Sequence, residues 1–600
     1  MHGHGDGLED VRGKKLRWRV LSRLLPRFKP HLGSLALCAV LLITFSLLSL
    51  AGPLLVRHAI DVNFADKDVH GLLITSGLFL LVLVLSFTFN YLQMVRLETV
   101  GQAIVKDIRI DIFAHLTRLG QSFFDKNPVG QLLSRVESDT EALRTMFTYT
   151  VVSILSDLIM MVGMLAVMLT LSPRLALVLF SLVPLVVLMV RWFNKRLIPI
   201  FIAARRKTAE VYAFLEEYMR GAKVVQAFDQ EDNVTAHMNM VNKAKFDVEY
   251  PGEMLSNYFG HSIGLVSSVA TALILGFGGA WVLGRPELLS IGTLVAFLNY
   301  IDRFFGPILH LSEQFNIIQR AFAGAERILE IQSEPLPGKL PALVDELPAA
   351  APAQPAAIAF DHVWFSYKDD DWVIKDVSFT IARGSRVAVV GPTGGGKTTL
   401  VSLLLRFYDQ QRGTIRIDGV DTRTMELTDL RRRMGLVLQD IVLFQGSLLD
   451  NLRLGDEGIQ EERVMTALET VDAAHLAARH PDGLHATLAE DGGNLSVGER
   501  QLLSFARALV FDPDILILDE ATSSVDPMTE RRVQGAVERL LAGRTAMIVA
   551  HRLETIRACD DILVVQDGCI QERGSHDELV EAGGLYHTLH QIQNGARRSV

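Results

Sequence analysis

The chain has 600 residues, a formal net charge of −9 at pH 7, and 49% hydrophobic residues. A net negative charge argues against bulk electrostatic binding of nucleic acid. The three cysteines, Cys38, Cys559 and Cys569, include no closely spaced pair, so neither a disulfide framework nor a zinc site is expected.

The first 330 residues contain long apolar runs, which indicate a membrane domain. A helix needs about 20 predominantly apolar residues to cross a bilayer. Six segments satisfy this length, and they cover residues 33–56, 71–93, 151–171, 175–193, 255–283 and 288–311. The first is too long for a cleavable signal sequence. We therefore predict an all-α transmembrane domain over residues 31–332, after a cytoplasmic N-terminal segment at residues 1–30.

Lysine and arginine are unevenly shared among the segments that flank these spans. Residues 12–30 carry eight, the 94–149 loop carries seven and the 191–256 loop carries ten, whereas the other three loops together carry four. Loops rich in Lys and Arg stay on the cytoplasmic side of a membrane. Both chain termini are therefore predicted to be cytoplasmic.

The two long positive loops are rich in helix-forming residues and contain only short breaks. This pattern predicts membrane helices that continue into the cytosol and then turn back. A 25-residue extension would reach about 35 Å beyond the membrane. The turns are expected at residues 123–130 and 221–229, where they would contact a cytosolic domain.

Polar side chains within the spans are candidates for cargo contact, because burying them in lipid is costly. Asp157, well inside the third span, is the strongest candidate of this kind. Hydrogen bonding between helices is the alternative role for each of them. The other candidates, nearer the span ends, are Asn90, His261, Asn299, Asp302 and Arg303.

Residues 333–356 form a proline- and alanine-rich linker, which is expected to be extended. The linker marks a domain boundary, because the sequence after it reads as an ordinary soluble α/β domain over residues 357–600. The fold prediction is therefore a multidomain chain, with an all-α membrane domain followed by an α/β domain.

A phosphate-binding loop follows the strand-like run at residues 386–390. Glycines between a strand and a helix let backbone N–H groups surround a phosphate, and the helix N-terminus adds positive potential. Lys397 is predicted to reach the β- and γ-phosphates of ATP or GTP, and Thr398 to ligate Mg²⁺. The loop residues predicted to bind nucleotide are Gly391, Pro392, Thr393, Gly394, Gly395, Gly396, Lys397, Thr398 and Thr399.

Four more polar residues stand at the ends of hydrophobic strand-like runs. Gln439 is predicted to ligate Mg²⁺ or to order a water molecule. Asp519 is predicted to hold Mg²⁺, and Glu520 to orient the water that attacks the γ-phosphate. His551 is predicted to donate a hydrogen bond to the γ-phosphate. The predicted catalytic residues are Glu520, His551, Lys397 and Gln439.

The order of these elements resembles that of ATP-binding cassette (ABC) transporters. Between Gln439 and His551 lie the run Leu-Ser-Val-Gly-Glu at residues 495–499, in which Ser496 is placed like a helix N-cap, and a run ending at Asp526. The six-span region, with FFDKNPVG at 123–130 and YIDRFFGP at 300–307, resembles bacterial exporters of the multidrug and lipid type.

This resemblance implies further site residues and an assembly. Tyr367 would stack on adenine, Ser496 and Gly498 would belong to the nucleotide-binding signature, Asp526 would close the D-loop, and His551 would be the switch histidine. ATP would lie between the P-loop of one cassette and the signature of a second. The chain would therefore be one half of a dimeric transporter that exports amphipathic drugs or lipids across the bacterial plasma membrane, the cell inner membrane. Its expected partners are a second half-transporter, membrane lipids and a small amphipathic substrate, with no nucleic acid.

The signature departs from the usual Leu-Ser-Gly-Gly-Gln at two positions, Val497 and Glu499. Valine adds a branched side chain where backbone approaches a phosphate, and glutamate adds a negative charge near it. This combination resembles one subunit of heterodimeric bacterial multidrug exporters, in which one site hydrolyses ATP and the other mainly holds it. The resemblance implies a heterodimer whose second subunit has an intact signature and a degenerate catalytic glutamate. A homodimeric lipid flippase and an ATP-gated channel or regulator remain the alternatives.

Overall fold

The computed structural model describes residues 25–284, 287, 289–338, 356–368, 371–519, 527–550 and 553–598. It divides the chain into two compact units. The first comprises Met1–Thr117 and Val129–Glu334, and the second comprises Arg118–Pro128 and Pro335–Val600. The segment Arg118–Pro128, which contains most of the first predicted cytoplasmic turn, therefore groups with the second unit.

The first unit is built of helices. In chain order, and including one short helix of the Arg118–Pro128 segment, they are α1 (Leu32–His58), α2 (Val69–Leu116), α3 (Gln121–Lys126), α4 (Val129–Ser134), α5 (Thr140–Thr145), α6 (Val151–Leu171), α7 (Pro173–Phe180), α8 (Val183–Arg220), α9 (Ala222–Ala227), α10 (Glu231–Gly284), α11 (Ile291–Phe304) and α12 (Gly306–Ser333). A 3₁₀ turn, Leu25–His31, precedes α1, and π-helical turns cover Ala59–Phe64, Arg135–Asp139 and Met146–Thr150.

Three of these helices are much longer than a bilayer requires. Helix α2 has 48 residues, α8 has 38 and α10 has 54. At 1.5 Å per residue, α10 extends about 80 Å, whereas the hydrocarbon core is about 30 Å thick. The prediction that membrane helices continue through the long positive loops is therefore confirmed, and short helices α3 and α9 lie at the two turns.

The sixth predicted span, residues 288–311, does not form one continuous helix. In the described part of the chain, five helical segments are long and apolar enough to cross a membrane. They are Pro26–Phe64, Val69–Leu116, Val129–Leu171, Pro173–Arg220 and Glu231–Gly284. The sixth predicted segment is divided into α11, of 14 residues, and α12, which has a proline in its first turn. Pro307 has no N–H to donate to the Arg303 carbonyl oxygen, so the helical hydrogen-bond ladder is interrupted at this point.

Helix α11 is hydrogen-bonded near both of its ends to the first span, Pro26–Phe64. The buried Tyr300 hydroxyl donates a hydrogen bond of 2.6 Å to the Leu50 carbonyl oxygen. At the other end, the Asp61 carboxylate accepts hydrogen bonds from the Gly292 N–H at 2.7 Å and the Ser290 hydroxyl at 2.5 Å. The divided sixth segment is therefore held against the first span by one buried and two part-buried hydrogen bonds as well as by apolar packing.

The second unit is an α/β domain. Its strands are β1 (Ile358–Ser366), β2 (Trp372–Ile381), β3 (Arg386–Val390), β4 (Arg412–Ile417), β5 (Val420–Asp421), β6 (Met434–Val437), β7 (Gly446–Ser447), β8 (Thr487–Leu488), β9 (Ile515–Asp519), β10 (Thr545–Val549), β11 (Asp561–Gln566) and β12 (Cys569–Gly574). Its further helices are α13 (Lys397–Leu404), α14 (Leu427–Arg432), α15 (Leu448–Arg453), α16 (Glu461–Thr470), α17 (Ala474–Ala478), α18 (Val497–Val510), α19 (Pro527–Leu541), α20 (Leu553–Arg557), α21 (His576–Glu581) and α22 (Leu585–Arg598).

A six-stranded sheet with the order β12-β11-β3-β10-β9-β6 forms the centre of this unit. All neighbours in it are parallel except β11 and β12. Both faces are buried, because alternate residues of β3 join two different apolar cores: Val387 and Val389 join one, and Ala388 and Val390 the other. Strands buried on both faces are continuous hydrophobic runs in the sequence, so these strands could be located from the sequence alone. A separate antiparallel sheet has the order β2-β1-β4-β5.

Candidate functional site

The glycine-rich loop joins β3 to α13 at the carboxyl end of the parallel strands. Its backbone conformation requires glycine at two positions. Gly391 has φ of 151°, and a Cβ there would lie 1.9 Å from the Val565 carbonyl oxygen. Gly396 has φ of 102° immediately before α13. These residues let the loop curl around the N-terminus of α13, where backbone N–H groups and the helix dipole favour a phosphate.

Lys397, the first residue of α13, is folded back onto the loop. Its side chain is buried, and Nζ donates hydrogen bonds of 2.9 Å to the Gly391 carbonyl oxygen and 2.8 Å to that of Pro392. Burial lowers the pKa of Lys397 below its ordinary value, and the negative charge of Asp519 opposes that effect. A lysine held only by neutral carbonyl groups can exchange them for phosphate oxygens, which form stronger charge-assisted hydrogen bonds.

The two threonines after Lys397 face different surroundings. Thr398 is exposed, so its hydroxyl is accessible as a Mg²⁺ ligand, whereas Thr399 is buried. The Thr399 hydroxyl lies 3.2 Å from the hydroxyl of Tyr367. Tyr367 also meets the rings of Phe365 and Tyr408 edge to face, yet it remains about half exposed. The structure thus places the predicted adenine-stacking ring beside the start of α13.

Asp519 and Gln439 line one small cavity of about 30 Å³, at the ends of the neighbouring parallel strands β9 and β6. Asp519 is buried and Gln439 is exposed. A water molecule requires roughly 10–15 Å³ of such space and several polar partners. The carboxylate, the amide oxygen and the Thr398 hydroxyl are the oxygen ligands that Mg²⁺ prefers, so this set of residues fits that ion.

Three predicted residues, Glu520, Asp526 and His551, lie outside the described residues, and their roles remain predictions. The strands that precede two of them are described. Strands β9 and β10 are parallel neighbours, with Asp519 paired to Val549. Asp519 immediately precedes Glu520, and Val549 stands two residues before His551.

The signature begins helix α18, as the sequence predicted from Ser496. The Ser496 hydroxyl accepts a hydrogen bond from the Glu499 N–H at 3.3 Å, and the Glu499 carboxylate accepts one from the Ser496 N–H at 2.8 Å. This reciprocal pair is a capping box. Serine followed three residues later by glutamate is a sequence sign of that motif, and it identifies a local structural role for Glu499.

Glu499 also receives a hydrogen bond of 2.5 Å from the guanidinium group of Arg479. Burial alone would raise the pKa of Glu499, but the hydrogen bonds from Ser496 and the charge of Arg479 bring it below its ordinary value. Both carboxylate oxygens are therefore directed at groups of the same chain. Sequence reasoning missed Arg479, because the two residues are 20 positions apart and belong to no common periodic pattern.

The other signature residues are half-buried or buried. Val497 is the first residue of α18 and is half-buried. Gly498 is buried against α19, and a Cβ there would lie 2.0 Å from Cγ2 of Thr529. A larger residue at this position would displace the Thr529 side chain, so the packing of α18 on α19 favours glycine here. The contact of Gly498 with nucleotide remains a prediction.

Comparisons with known proteins agree with these observations. Residues 35–308 match the family described as ABC transporter transmembrane region, and residues 374–523 match the one described as ABC transporter. The chain is 35% identical to the "Probable multidrug resistance ABC transporter ATP-binding/permease protein YheH" of Bacillus subtilis, over 90% of this chain and 79% of that protein. It is 33% identical to an ATP-dependent lipid A-core flippase of Desulfotalea psychrophila, over 96% of this chain and 99% of the flippase.

A solved structure shares the fold. The structure of a bacterial Atm1-family ABC exporter with ATP bound superposes with a TM-score of 0.72 and is 28% identical in sequence. The match covers 96% of this chain and 99% of that exporter chain. Both the helical membrane unit and the α/β unit are therefore included in the similarity.

Proposed function

Since the chain belongs to the ABC transporter family, and couples ATP hydrolysis to transport, we propose that it is one half of a dimeric exporter of amphipathic compounds in the bacterial plasma membrane. The observation that carries this proposal is the combination of Lys397 in a curled P-loop with long apolar helices in one polypeptide. The cassette lies in the cytosol with both chain ends, as the distribution of positive loops indicates.

Each site residue has its own role in ATP hydrolysis. Lys397 exchanges its two carbonyl partners for β- and γ-phosphate oxygens, and Tyr367 stacks on adenine. Glu520 orients the attacking water, and His551 donates a hydrogen bond to the γ-phosphate. Phosphoryl transfer requires mainly positioning and charge neutralisation, which these groups supply. Mg²⁺, held by Thr398, Gln439 and Asp519, would neutralise phosphate charge when bound.

Movement is transmitted to the membrane helices through the first cytoplasmic turn. Residues 118–128 group with the cassette unit, although they follow directly from α2. Within the turn, the Asn127 amide caps the end of α3 by donating a hydrogen bond of 2.8 Å to the Phe123 carbonyl oxygen. ATP binding closes two cassettes on each other, and this turn carries the closure to the membrane helices.

Transport into sealed vesicles tests the function. Complexes reconstituted with the cassettes outward are expected to accumulate an amphipathic dye inside only when ATP and Mg²⁺ are added outside. Uptake should follow ATP hydrolysis and cease when ATP is replaced by a non-hydrolysable analogue. ATP-dependent ion conductance without dye accumulation would contradict export and favour the ATP-gated channel.

The partner is proposed to be a different half-transporter, with an intact signature and a degenerate catalytic glutamate. Val497 is the main support, because its branched side chain stands at the N-terminus of α18, where a phosphate would approach. Glu499 gives less support to this proposal, because its carboxylate already accepts hydrogen bonds from Arg479 and from the Ser496 N–H.

Repairing the signature is expected to distinguish the two compositions. In a heterodimer, Val497→Gly combined with Glu499→Gln changes total ATPase activity only modestly, because this signature serves the partner's slow site. Glutamine preserves the capping box, so α18 should keep its start. In a complex of two copies the same pair should raise turnover severalfold. The mass of the purified complex provides the independent measurement, and a transport-active complex containing this chain alone would contradict the heterodimer.

A further inference from the structure

Gln501 is a buried glutamine on α18, about one turn after the start of that helix. Only 9% of its surface is exposed, and its helix neighbours Leu502 and Phe505 belong to an apolar core of the domain. Within the described ranges of the chain, the Gln501 Oε1 atom is shielded from solvent and has no hydrogen-bond partner. Leaving a buried acceptor unsatisfied costs free energy, and an ordered water molecule commonly satisfies such a group.

Gln501 lines the cavity of about 30 Å³ that Asp519 and Gln439 also line. The rest of the wall is formed by apolar residues, among them Phe505 of α18 and Val533 of α19. A water molecule needs about 10–15 Å³ of such space and about two to four polar partners. The cavity therefore has room for a water molecule, and its three polar side chains are enough to bind one.

The three side chains also match the hydrogen-bonding capacity of a water molecule, which has two O–H donors and can accept in return. The Gln501 carbonyl oxygen and the Asp519 carboxylate are acceptors. A carboxylate has about four acceptor sites, so Asp519 can accept from water in addition to its other interactions. The Gln439 carbonyl oxygen is assigned to Mg²⁺ in the function proposed above, and its amide N–H remains to donate to the water.

We propose that Gln501 is a positioning residue of the nucleotide site: it holds one water molecule, shared with Asp519 and Gln439, that fixes the orientation of these two Mg²⁺ ligands. The proposal rests on the nucleotide site proposed above and adds a residue to it. Outer hydrogen bonds that orient ligand groups increase the affinity of a site for its metal ion.

The same water joins two parts of the cassette that carry different functions. Ser496 of the signature is the N-cap of α18, and Gln501 follows in the next turn of that helix. Asp519 and Gln439 stand at the ends of the neighbouring strands β9 and β6. The shared water therefore holds the helix that carries the signature to the metal ligands of the same chain.

Gln501→Met tests the proposal, because methionine has a similar length but no amide group. Mn²⁺, which electron paramagnetic resonance detects, replaces Mg²⁺ and is titrated into the purified complex in the presence of a non-hydrolysable ATP analogue. The substitution is expected to weaken Mn²⁺ binding at the site of this chain about fivefold, the effect of one ordinary hydrogen bond. The affinity for the analogue without metal should remain unchanged. An equal loss of both affinities would indicate a merely structural role and overturn the proposal.

Gln460→Met is the matched control, since Gln460 is an exposed glutamine before α16 whose side chain makes no capping hydrogen bond. It should bind Mn²⁺ as the unmodified complex does. Mn²⁺ affinity that is unchanged in Gln501→Met would overturn the positioning role and leave the nucleotide site intact. An unmodified complex that binds neither the analogue nor Mn²⁺ would instead contradict the proposed function.

A structure of the unmodified complex, at a resolution that shows water, tests the proposal without a substitution. It is expected to contain a water molecule within hydrogen-bonding distance of Gln501 Oε1, the Asp519 carboxylate and the Gln439 amide. A Gln501 oxygen that accepts from a protein group instead of water would overturn the proposal.

Discussion

Glu520→Gln is expected to lower steady-state ATP hydrolysis by about a hundredfold or more, which is the usual contribution of a positioned acid–base group. ATP affinity should remain close to that of the unmodified complex, because glutamine has the same shape and Glu520 is not assigned to phosphate binding. The physical reason is its place in the chain: it directly follows Asp519, which ends the buried strand β9 at the edge where the P-loop lies. Nucleotide affinity and steady-state turnover are both measured on the purified complex.

Glu538→Gln is a suitable control, because Glu538 is an exposed glutamate on α19. It removes the same charge from the same domain and should leave hydrolysis unchanged. Hydrolysis close to normal in Glu520→Gln would remove this residue from the role of orienting water. A parallel loss of ATP affinity would instead indicate that Glu520 supports the binding site rather than the chemical step.

The α/β unit was predictable because its central strands are buried on both faces. Strand β3 occupies the residues expected from its hydrophobic run, 386–390, and β9 and β10 end within two residues of the predicted positions. A continuous apolar run bounded by polar residues specifies such a strand without knowledge of its neighbours. The order of strands in the sheet, by contrast, depends on long-range packing that no local pattern contains.

In the membrane unit, apolar composition located the sixth segment but did not reveal its backbone break. The segment 288–311 has the length of a span, yet α11 ends at Phe304 and α12 begins at Gly306, one residue before Pro307. The missing N–H of proline is a local signal that was available in the sequence. The predicted extensions of α2, α8 and α10 succeeded because helix-forming residues continue past the apolar segments.

The candidate site was predictable where chemistry depends on residues adjacent in sequence or at strand ends. The P-loop, Gln439 and Asp519 met this condition, and the structure places Gln439 and Asp519 around one cavity. The pairing of Arg479 with Glu499 was not predictable, because it joins side chains from separate elements. That pairing changes the interpretation of the signature, since a charge held by an arginine repels phosphate less than a free one.

Lys397→Ala is expected to weaken ATP binding by about 30-fold or more, because a hydrogen bond to a charged group contributes about 1.5–3 kcal/mol and Lys397 is proposed to bind two phosphates. The substitution should also reduce hydrolysis in proportion to the lost binding at subsaturating ATP. Affinity is best measured in the Glu520→Gln background, where the nucleotide is not consumed. The two substitutions are expected to have different effects. Lys397→Ala weakens ATP binding, whereas Glu520→Gln retains binding and lowers turnover.

Lys397→Met separates charge from packing in this prediction. Methionine keeps an unbranched apolar stem in the buried position, but it has no ammonium group to bind phosphate or to balance Asp519. If charge is responsible, Lys397→Met weakens ATP binding as much as Lys397→Ala does. If Lys397→Met binds ATP normally, the stem alone is important, and the ammonium group does not exchange its Gly391 and Pro392 carbonyl partners for phosphate.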